Sequence, residues 1–416
     1  GRIVPTIMAT ESLRHLDLGG NRMGPVLIGQ LCDALSLNTS VRWVNIGGNR
    51  AGADGGAHVG RLLATSDRLQ FMDAGSNDFG VEGAEFMASQ INTNTSLTEL
   101  RMSSNGMGAD ANPYMGQIFG SLLGLRSIDV SGNEIDEDTA AEIRAGIVAA
   151  REQGGYTDLT SLKLSQNPFG DKGVKEMVVA LQNLNLWKLQ LLNCDITDIG
   201  AGMCGALAAT LPELRVLSLA LNRVTDIGVA HMHAWMGQRA SRCRIEELNL
   251  DGNLCSDLAV EKLAALVKRG PWLKRLSVQG NFVSTPGMKL ILGLIVDYPQ
   301  VTKFGLKGNV DADEKDVLHA ETLASIEAVL VGRGGHAPRK DFARGIFWTG
   351  DDTKAVAGLR GAGTRQTWST RATVKGSTRL PSQGGSSFKS FGRSTTHTTD
   401  SDHAARRSSS RNPGKP

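Results

Sequence analysis

Apolar residues recur along most of this chain in one frame: apolar, two residues, apolar, one residue, apolar, two residues, then Asn. The first copy runs Leu13, Leu16, Leu18, Asn21. Eleven copies follow one another, ten closing on Asn (21, 49, 77, 105, 133, 167, 222, 253, 281 and 309) and one on Cys194, at spacings of 28, 28, 28, 28, 34, 27, 28, 31, 28 and 28 residues. Within a copy two periods alternate. Leu162 and Leu164 flank Lys163, the period of two that marks a short strand. After Asn167 come Phe169, Gly173, Met177 and Leu181, steps of four or less that share one helix face. Each copy therefore predicts strand, turn and helix, with the next strand parallel and adjacent. Strands stack about 4.8 Å apart, whereas helices with side chains are roughly 10 Å wide. The predicted fold is an α/β solenoid shaped as a horseshoe, with parallel strands on the concave side and helices on the convex side.

The closing Asn has a physical task. Backbone donors and acceptors inside a buried turn must find partners, and an inward amide repeated at every turn can serve its own loop and the next. The small residue six positions after it (Gly55, Gly83, Ala111, Gly200, Gly228, Ala259, Gly287) is expected to let the helix approach the strand layer closely. The motif, the 28-residue period and the full helix per repeat resemble leucine-rich repeats of the ribonuclease-inhibitor type. The resemblance spans residues 1–331 and implies a binding protein that uses its concave face and loop edges. A related member, the Ran GTPase-activating protein, shares the period and assists GTP hydrolysis. That family often places Cys at the Asn slot in alternate repeats; here Cys194 alone does so.

Two interruptions break the frame. Six extra residues enter within Val148–Asp158, and three more within Gly237–Arg244, the latter with Arg239, Arg242 and Arg244. Both fall between a helix and the following strand, so both are expected on the same rim, as loop drift or as a contact. Residues 1–10, with Ile3 and Ile7 in helix slots, read as the end of a preceding repeat or as a short capping helix. The last helix begins among Asp311, Asp313 and Glu314, carries Lys315, His319 and Leu323 in its slots, and reads as a polar C-terminal cap. Beyond it, residues 332–416 read as a disordered tail rich in Ser, Thr, Gly and Arg, broken by Phe342, Ile346, Phe347 and Trp348. Arg406-Arg407-Ser408-Ser409 resembles a basophilic kinase site.

Charge divides the chain in the same place. Residues 1–331 hold 29 Lys+Arg and 37 Asp+Glu, a net of −8, and residues 332–416 hold 16 and 5, a net of +11. The tail thus suits an acidic partner, with no specific nucleic acid implied. No apolar run approaches the roughly 18 residues of a membrane span. Cys32, Cys204 and Cys255 occupy apolar slots and Cys243 a loop, without metal-ligand spacing, so they read as reduced thiols of a cytoplasmic protein. Gly47-Gly48-Asn49-Arg50-Ala51-Gly52 looks like a phosphate loop, but the same turn returns every repeat. His231 and His233 stand two apart on a helix and do not share a face. No catalytic triad, carboxylate pair, metal cluster or cofactor motif emerges, and the chain reads as non-catalytic.

Strand residues six, four and two positions before each Asn face away from the core, and most of the candidate binding residues lie there. Trp43 and Phe71 occupy the same slot in adjacent repeats, with Gly47 and Gly75 beside them and Arg101 beyond. Trp187, Leu192, Val216 and Leu221 form a second, mid-array apolar patch. Arg275, Lys303 and Lys307 make the far end basic. The resulting expectation is a scaffold that holds an unidentified protein partner. The alternatives are a small-GTPase regulator, for which Arg22 and Arg50 sit at suitable turns, and a structural component of a cytoskeletal or ciliary assembly.

Overall fold

The computed structural model describes residues 3–156, 158–309 and 317–332. The strands are β1 (His15–Asp17), β2 (Trp43–Asn45), β3 (Phe71–Asp73), β4 (Glu99–Arg101), β5 (Ser127–Asp129), β6 (Ser161–Lys163), β7 (Lys188–Gln190), β8 (Val216–Ser218), β9 (Glu247–Asn249), β10 (Arg275–Ser277) and β11 (Lys303–Gly305). They form one open parallel sheet in chain order. Every pairing joins equivalent positions of consecutive repeats: Leu16 faces Val44, which faces Met72, which faces Leu100. That middle residue is buried in all eleven strands, while its two neighbours face the other way. The helices α1 (Ile3–Ala9), α2 (Gly24–Leu37), α3 (Gly52–Thr65), α4 (Gly80–Gln90), α5 (Asn112–Ser121), α6 (Glu137–Glu152), α7 (Gly170–Leu181), α8 (Asp198–Thr210), α9 (Asp226–Gln238), α10 (Asp257–Arg269), α11 (Thr285–Asp297) and α12 (Val317–Gly332) each pack on the next, behind the sheet. The architecture is the α/β solenoid that the repeat predicts.

The Asn side chains form a hydrogen-bonded ladder under the turns, interrupted where Cys194 replaces the amide. Asn133 donates from Nδ2 to the carbonyls of Val130 in its own repeat (3.0 Å) and Met102 in the preceding one (2.8 Å). Its Oδ1 accepts the backbone N–H of Asn105 (2.8 Å). The same link joins Asn21 to Asn49, Asn49 to Asn77, Asn77 to Asn105, and Asn281 to Asn309. Cys194 reproduces half of it: its Sγ lies 3.4 Å from the carbonyls of Leu164 and Leu192. Burial pushes this thiol up to about 12, which keeps the proton on sulfur.

Apart from that of α6, which its own Asp136 caps by accepting the Thr139 N–H, the described turns leading from Asn to helix come in two forms. In one, a glycine three residues after the Asn slot takes a left-handed backbone, as Gly52 (φ 60°) and Gly170 (φ 59°) do. Its N–H donates to the carbonyl of the next repeat's Asn or Cys, 2.9 Å for Gly52 to Asn77 and 3.0 Å for Gly170 to Cys194. In the other, which serves α8 to α11, the same position is Thr197, Thr225, Ser256 or Ser284 with an extended backbone. Here an Asp of the preceding repeat caps the helix. Asp198 Oδ1 accepts the N–H groups of Thr225 (2.7 Å) and Gly228 (2.9 Å), and its Oδ2 accepts the Thr225 hydroxyl (2.8 Å). Asp226 does the same for Ser256 and Ala259, Asp171 for Thr197 and Gly200, and Asp257 for Ser284. A carboxylate at a helix N-terminus meets both orphan donors and the positive end of the helix dipole.

Three sequence expectations change. The small residue six after the Asn slot closes the turn rather than drawing helix to strand. A Cβ on Gly173 would lie 2.5 Å from Phe169 Cβ, and one on Gly228 would lie 2.6 Å from Asp198 Oδ1 and 2.8 Å from Val224. The first insertion is largely consumed by the fold: α6 runs to Glu152, and Tyr156 is buried with its hydroxyl donating to Phe119 O (2.7 Å). Cys243, in the second insertion, is also buried, while Arg239, Arg242 and Arg244 around it are exposed. At the start of the chain, α1 packs as a repeat's helix does. Asn38 Nδ2 donates to the carbonyls of Ile7 and Thr10, as Asn94 Nδ2 does to Leu63 and Ser66 with the same residue separations. Lys315, the His319 side chain and residues 333–416 lie outside the described residues.

Asn133→Leu strands the Asn105 N–H and two carbonyls at once, and is expected to destabilise the array by about 1–3 kcal/mol. Asp226→Ala uncaps α10 and should cost about 1–2 kcal/mol. Denaturant titration followed by far-UV circular dichroism checks both; a midpoint that does not move in either variant contradicts the corresponding ladder.

Candidate functional site

Parallel in-register pairing brings same-slot residues to stacking distance, and the first three repeats use it for a run of π systems that a guanidinium from the fourth closes. His15, Trp43 and Phe71 pair across β1, β2 and β3. The His15 and Trp43 ring centroids lie 6.0 Å apart, tilted by 38°. Trp43 and Phe71 stack at 4.6 Å with planes 8° apart. Arg101, from β4, sets its guanidinium 5.0 Å from the Phe71 centroid. Arg101 is itself held by Glu99 (2.7 Å) and, more loosely, by Asp73 (4.0 Å). Phe71 is consequently only 9% exposed; the open ring expected from sequence is closed between Trp43 and Arg101. His15 is exposed and Trp43 half-buried, so the stack presents its N-terminal end and edges.

The small neighbours have a second role here. Asp17, Asn45 and Asp73 bend back so that a side-chain oxygen accepts the N–H two residues on: Gly19 (3.0 Å), Gly47 (2.9 Å) and Gly75 (3.0 Å). A Cβ on Gly47 would lie 3.2 Å from Asp73 Oδ1. Burial pushes the Asp73 carboxyl up from its usual range, while the Gly75 N–H and Arg101 draw it back. The rings thus rise from a floor whose polar groups are already paired.

The mid-array patch is smaller than the sequence suggests. Val216 and Leu192 are buried. Val216 is flanked in register by the longer Lys188 and Glu247, which leave a short branched side chain beneath them. Leu221 is half-buried against Gly252, and Trp187 remains well exposed one residue ahead of β7. At the far end Arg275 forms an ion pair with Glu247, and Lys303 is exposed beside it. Sequence reasoning passed over Asp251. It accepts the Ser277 hydroxyl (2.5 Å) and the Gln279 N–H (2.7 Å), and burial pushes its carboxyl up to about 7.

The turn that looks like a phosphate loop has its donors already engaged. The N–H groups of Gly48, Asn49 and Gly52, which a phosphate would need, donate to Gly75 O, Asn77 Oδ1 and Asn77 O. The five cysteines are free and buried. Among the described residues there is no His, Cys, Asp and Glu group arranged to hold a metal ion, and no helix long and apolar enough to cross a membrane.

A family model described as Leucine Rich repeat matches residues 11–26, 93–111 and 157–178. Over 159 residues, 38% of this chain, the sequence is 29% identical to a ribonuclease inhibitor of Mus musculus, and over 135 residues, 32% of the chain, 31% identical to that of Sus scrofa. The chain is a leucine-rich-repeat protein of the ribonuclease-inhibitor type. The matches span 34% and 29% of those two proteins. NACHT, LRR and PYD domains-containing protein 3 of Homo sapiens is 27% identical over 32% of the chain and 13% of its own length. A leucine-rich-repeat-containing protein from Legionella pneumophila, LegL7, has a solved structure that aligns with 78% of this chain and 93% of its own, at 15% identity and a TM-score of 0.41. A leucine-rich-repeat array of this kind fits a protein-binding role.

The stack makes a stability prediction of its own. In a double-mutant cycle of Trp43→Ala and Phe71→Ala, the two losses should fall short of or exceed additivity by about 0.5–1.5 kcal/mol, the coupling of an aromatic pair in contact. Strict additivity contradicts the stack.

Proposed function

We propose that this leucine-rich-repeat protein is a non-catalytic scaffold that holds a protein partner against its strand face, with the Trp43–Phe71 stack as the anchor. The stack itself carries the reading. Large aromatics held at fixed geometry lose little entropy on binding, and such residues dominate many interfaces. Arg101 extends the stack with a cation already oriented by Glu99, so a partner meets an aromatic edge and a guanidinium side by side. Trp187, beside Leu192, Val216 and Leu221, is a second contact point, and Arg275 and Lys303 a third, suited to acidic groups. A cytoplasmic setting belongs to the same proposal, since five buried, unpaired thiols ask for no oxidising compartment.

The test is affinity capture on the full chain, quantified for the same captured protein on three baits. Trp43→Ala with Phe71→Ala should weaken capture roughly tenfold or more, while Trp187→Ala has a smaller effect and circular dichroism shows all three baits folded. If the Trp187 variant loses the partner and the double variant keeps it, the anchor lies mid-array. If neither loses it, the strand face is not the binding surface.

A further inference from the structure

In repeats one to ten the slot five residues after the Asn position falls in the first turn of the following helix or, for Asp110, in the 3-10 turn just before α5. In repeats two to five it carries Asp54, Glu82, Asp110 and Asp138, acids that a helix N-terminus favours by about 0.3–1 kcal/mol. In repeats seven to nine the same slot carries Ile199, Ile227 and Leu258. Beside them, one residue after the Asn slot, stand Leu254 and Phe282. All five are between 45% and 61% exposed. The loops that bear them are zipped together: Arg223 N–H donates to Ile196 O (2.8 Å), Leu254 N–H to Val224 O (2.9 Å) and Phe282 N–H to Cys255 O (2.8 Å). An apolar stripe therefore runs along one rim through four consecutive repeats, at a place where helix chemistry asks for acids.

The polar groups beneath the stripe are already satisfied. Asp171, Asp198, Asp226 and Asp257 accept the N–H groups that open α8 to α11 and neutralise those helix ends. Asp195 and Arg223, at one margin, pair with each other at 2.6 Å. Covering this rim strands no donor and buries no lone charge, which is the condition for a dry interface.

We propose that this rim is a self-association surface through which two copies of the chain pair about a two-fold axis. The first argument is area. Five large side chains, each about half exposed, leave on the order of 500 Å² of apolar surface. Two such patches bury on the order of 1,000 Å², the size at which a specific interface begins. The second is period. The rim lies between the strand layer at about 4.8 Å per repeat and the helix layer at roughly 10 Å. A second copy of the chain carries the same repeat spacing, so its rim stays in step with this one along the stripe. An antiparallel second copy meets it residue for residue, Ile227 of one copy against Leu258 of the other, as an isologous contact requires.

Sedimentation equilibrium of the full chain over a dilution series tests the proposal. The wild type should pass from the mass of one chain to that of two as concentration rises. Ile227→Glu with Leu258→Glu should raise the dimer dissociation constant roughly tenfold or more without lowering Tm, because Glu82 already occupies this slot in repeat three. Val26→Glu, at the same slot in repeat one, should leave the constant unchanged. As a second measurement, Ile227→Cys with Leu258→Cys should crosslink between chains under mild oxidation, the native thiols being buried. A wild type that keeps a single-chain mass at every concentration overturns the proposal. So does a Glu double variant that dimerises as the wild type does, or a folded Cys variant that forms no interchain bond.

Discussion

The hydrogen-bonded Asn ladder is the constraint on which the rest of this molecule depends. A short strand must turn sharply into a helix at every repeat, and the turn lies inside the protein where water cannot serve its backbone. One amide side chain has the right inventory for the task, two donors and an acceptor. Asn133 uses them on three backbone groups in two repeats. Because each amide from Asn49 onward also receives a backbone N–H from the preceding repeat's turn (its Asn in most repeats, Cys194, Val224 or Cys255 in the others), the ladder couples neighbours and fixes the step from one strand to the next. Strand register, stacked concave side chains and rim alignment all follow from that step.

A second ladder divides the array into two halves with different surfaces. Where glycine closes the turn, the helix starts uncapped by a side chain, as at α2, α3, α4 and α7. Acids in the first turn of α3 and α4 then offset the dipole from outside. Where Thr or Ser closes it, the carboxylate of the previous repeat does this from within, and the exposed slot is released from that duty. The apolar rim of repeats seven to ten lies over helix ends neutralised in this way, whereas Val26 stands at the same slot of the uncapped α2. The same division separates the aromatic stack, built on β1 to β4, from that rim.

The fold was legible because its determinants are periodic. A single Leu164 or Asn167 says little, but the same letters at 28-residue intervals specify strand, turn, helix and neighbour together. Features that depend on contact between repeats were harder to read. Asp198 looks like an ordinary first-turn acid; that it caps the following helix is visible only once Thr225 is placed against it. Tyr156 sat in what resembled a surface insertion because its burial depends on Phe119, 37 residues away. Val216 and Leu192 were expected on an open face because outward slots were equated with exposure. Outward direction is a property of one strand, whereas exposure depends on the lengths of the side chains on both neighbouring strands.

The same distinction explains why the aromatic pair was identified correctly by position and only partly by environment. Parallel register guarantees that Trp43 and Phe71 meet, and the 4.6 Å stack follows from that alone. Arg101 comes from a different slot, four residues before its Asn rather than six, and reaches Phe71 diagonally across the sheet. Glu99, at the slot Arg101 would otherwise overhang, turns the guanidinium toward the ring by binding its Nε and NH2 groups. Under the proposed function, a partner approaching this face would meet a surface already fixed by contacts among four repeats. Such preorganisation reduces the ordering cost of binding. It also means that no one of these side chains can be changed without shifting the others, so the stack acts as a unit spread over β1 to β4.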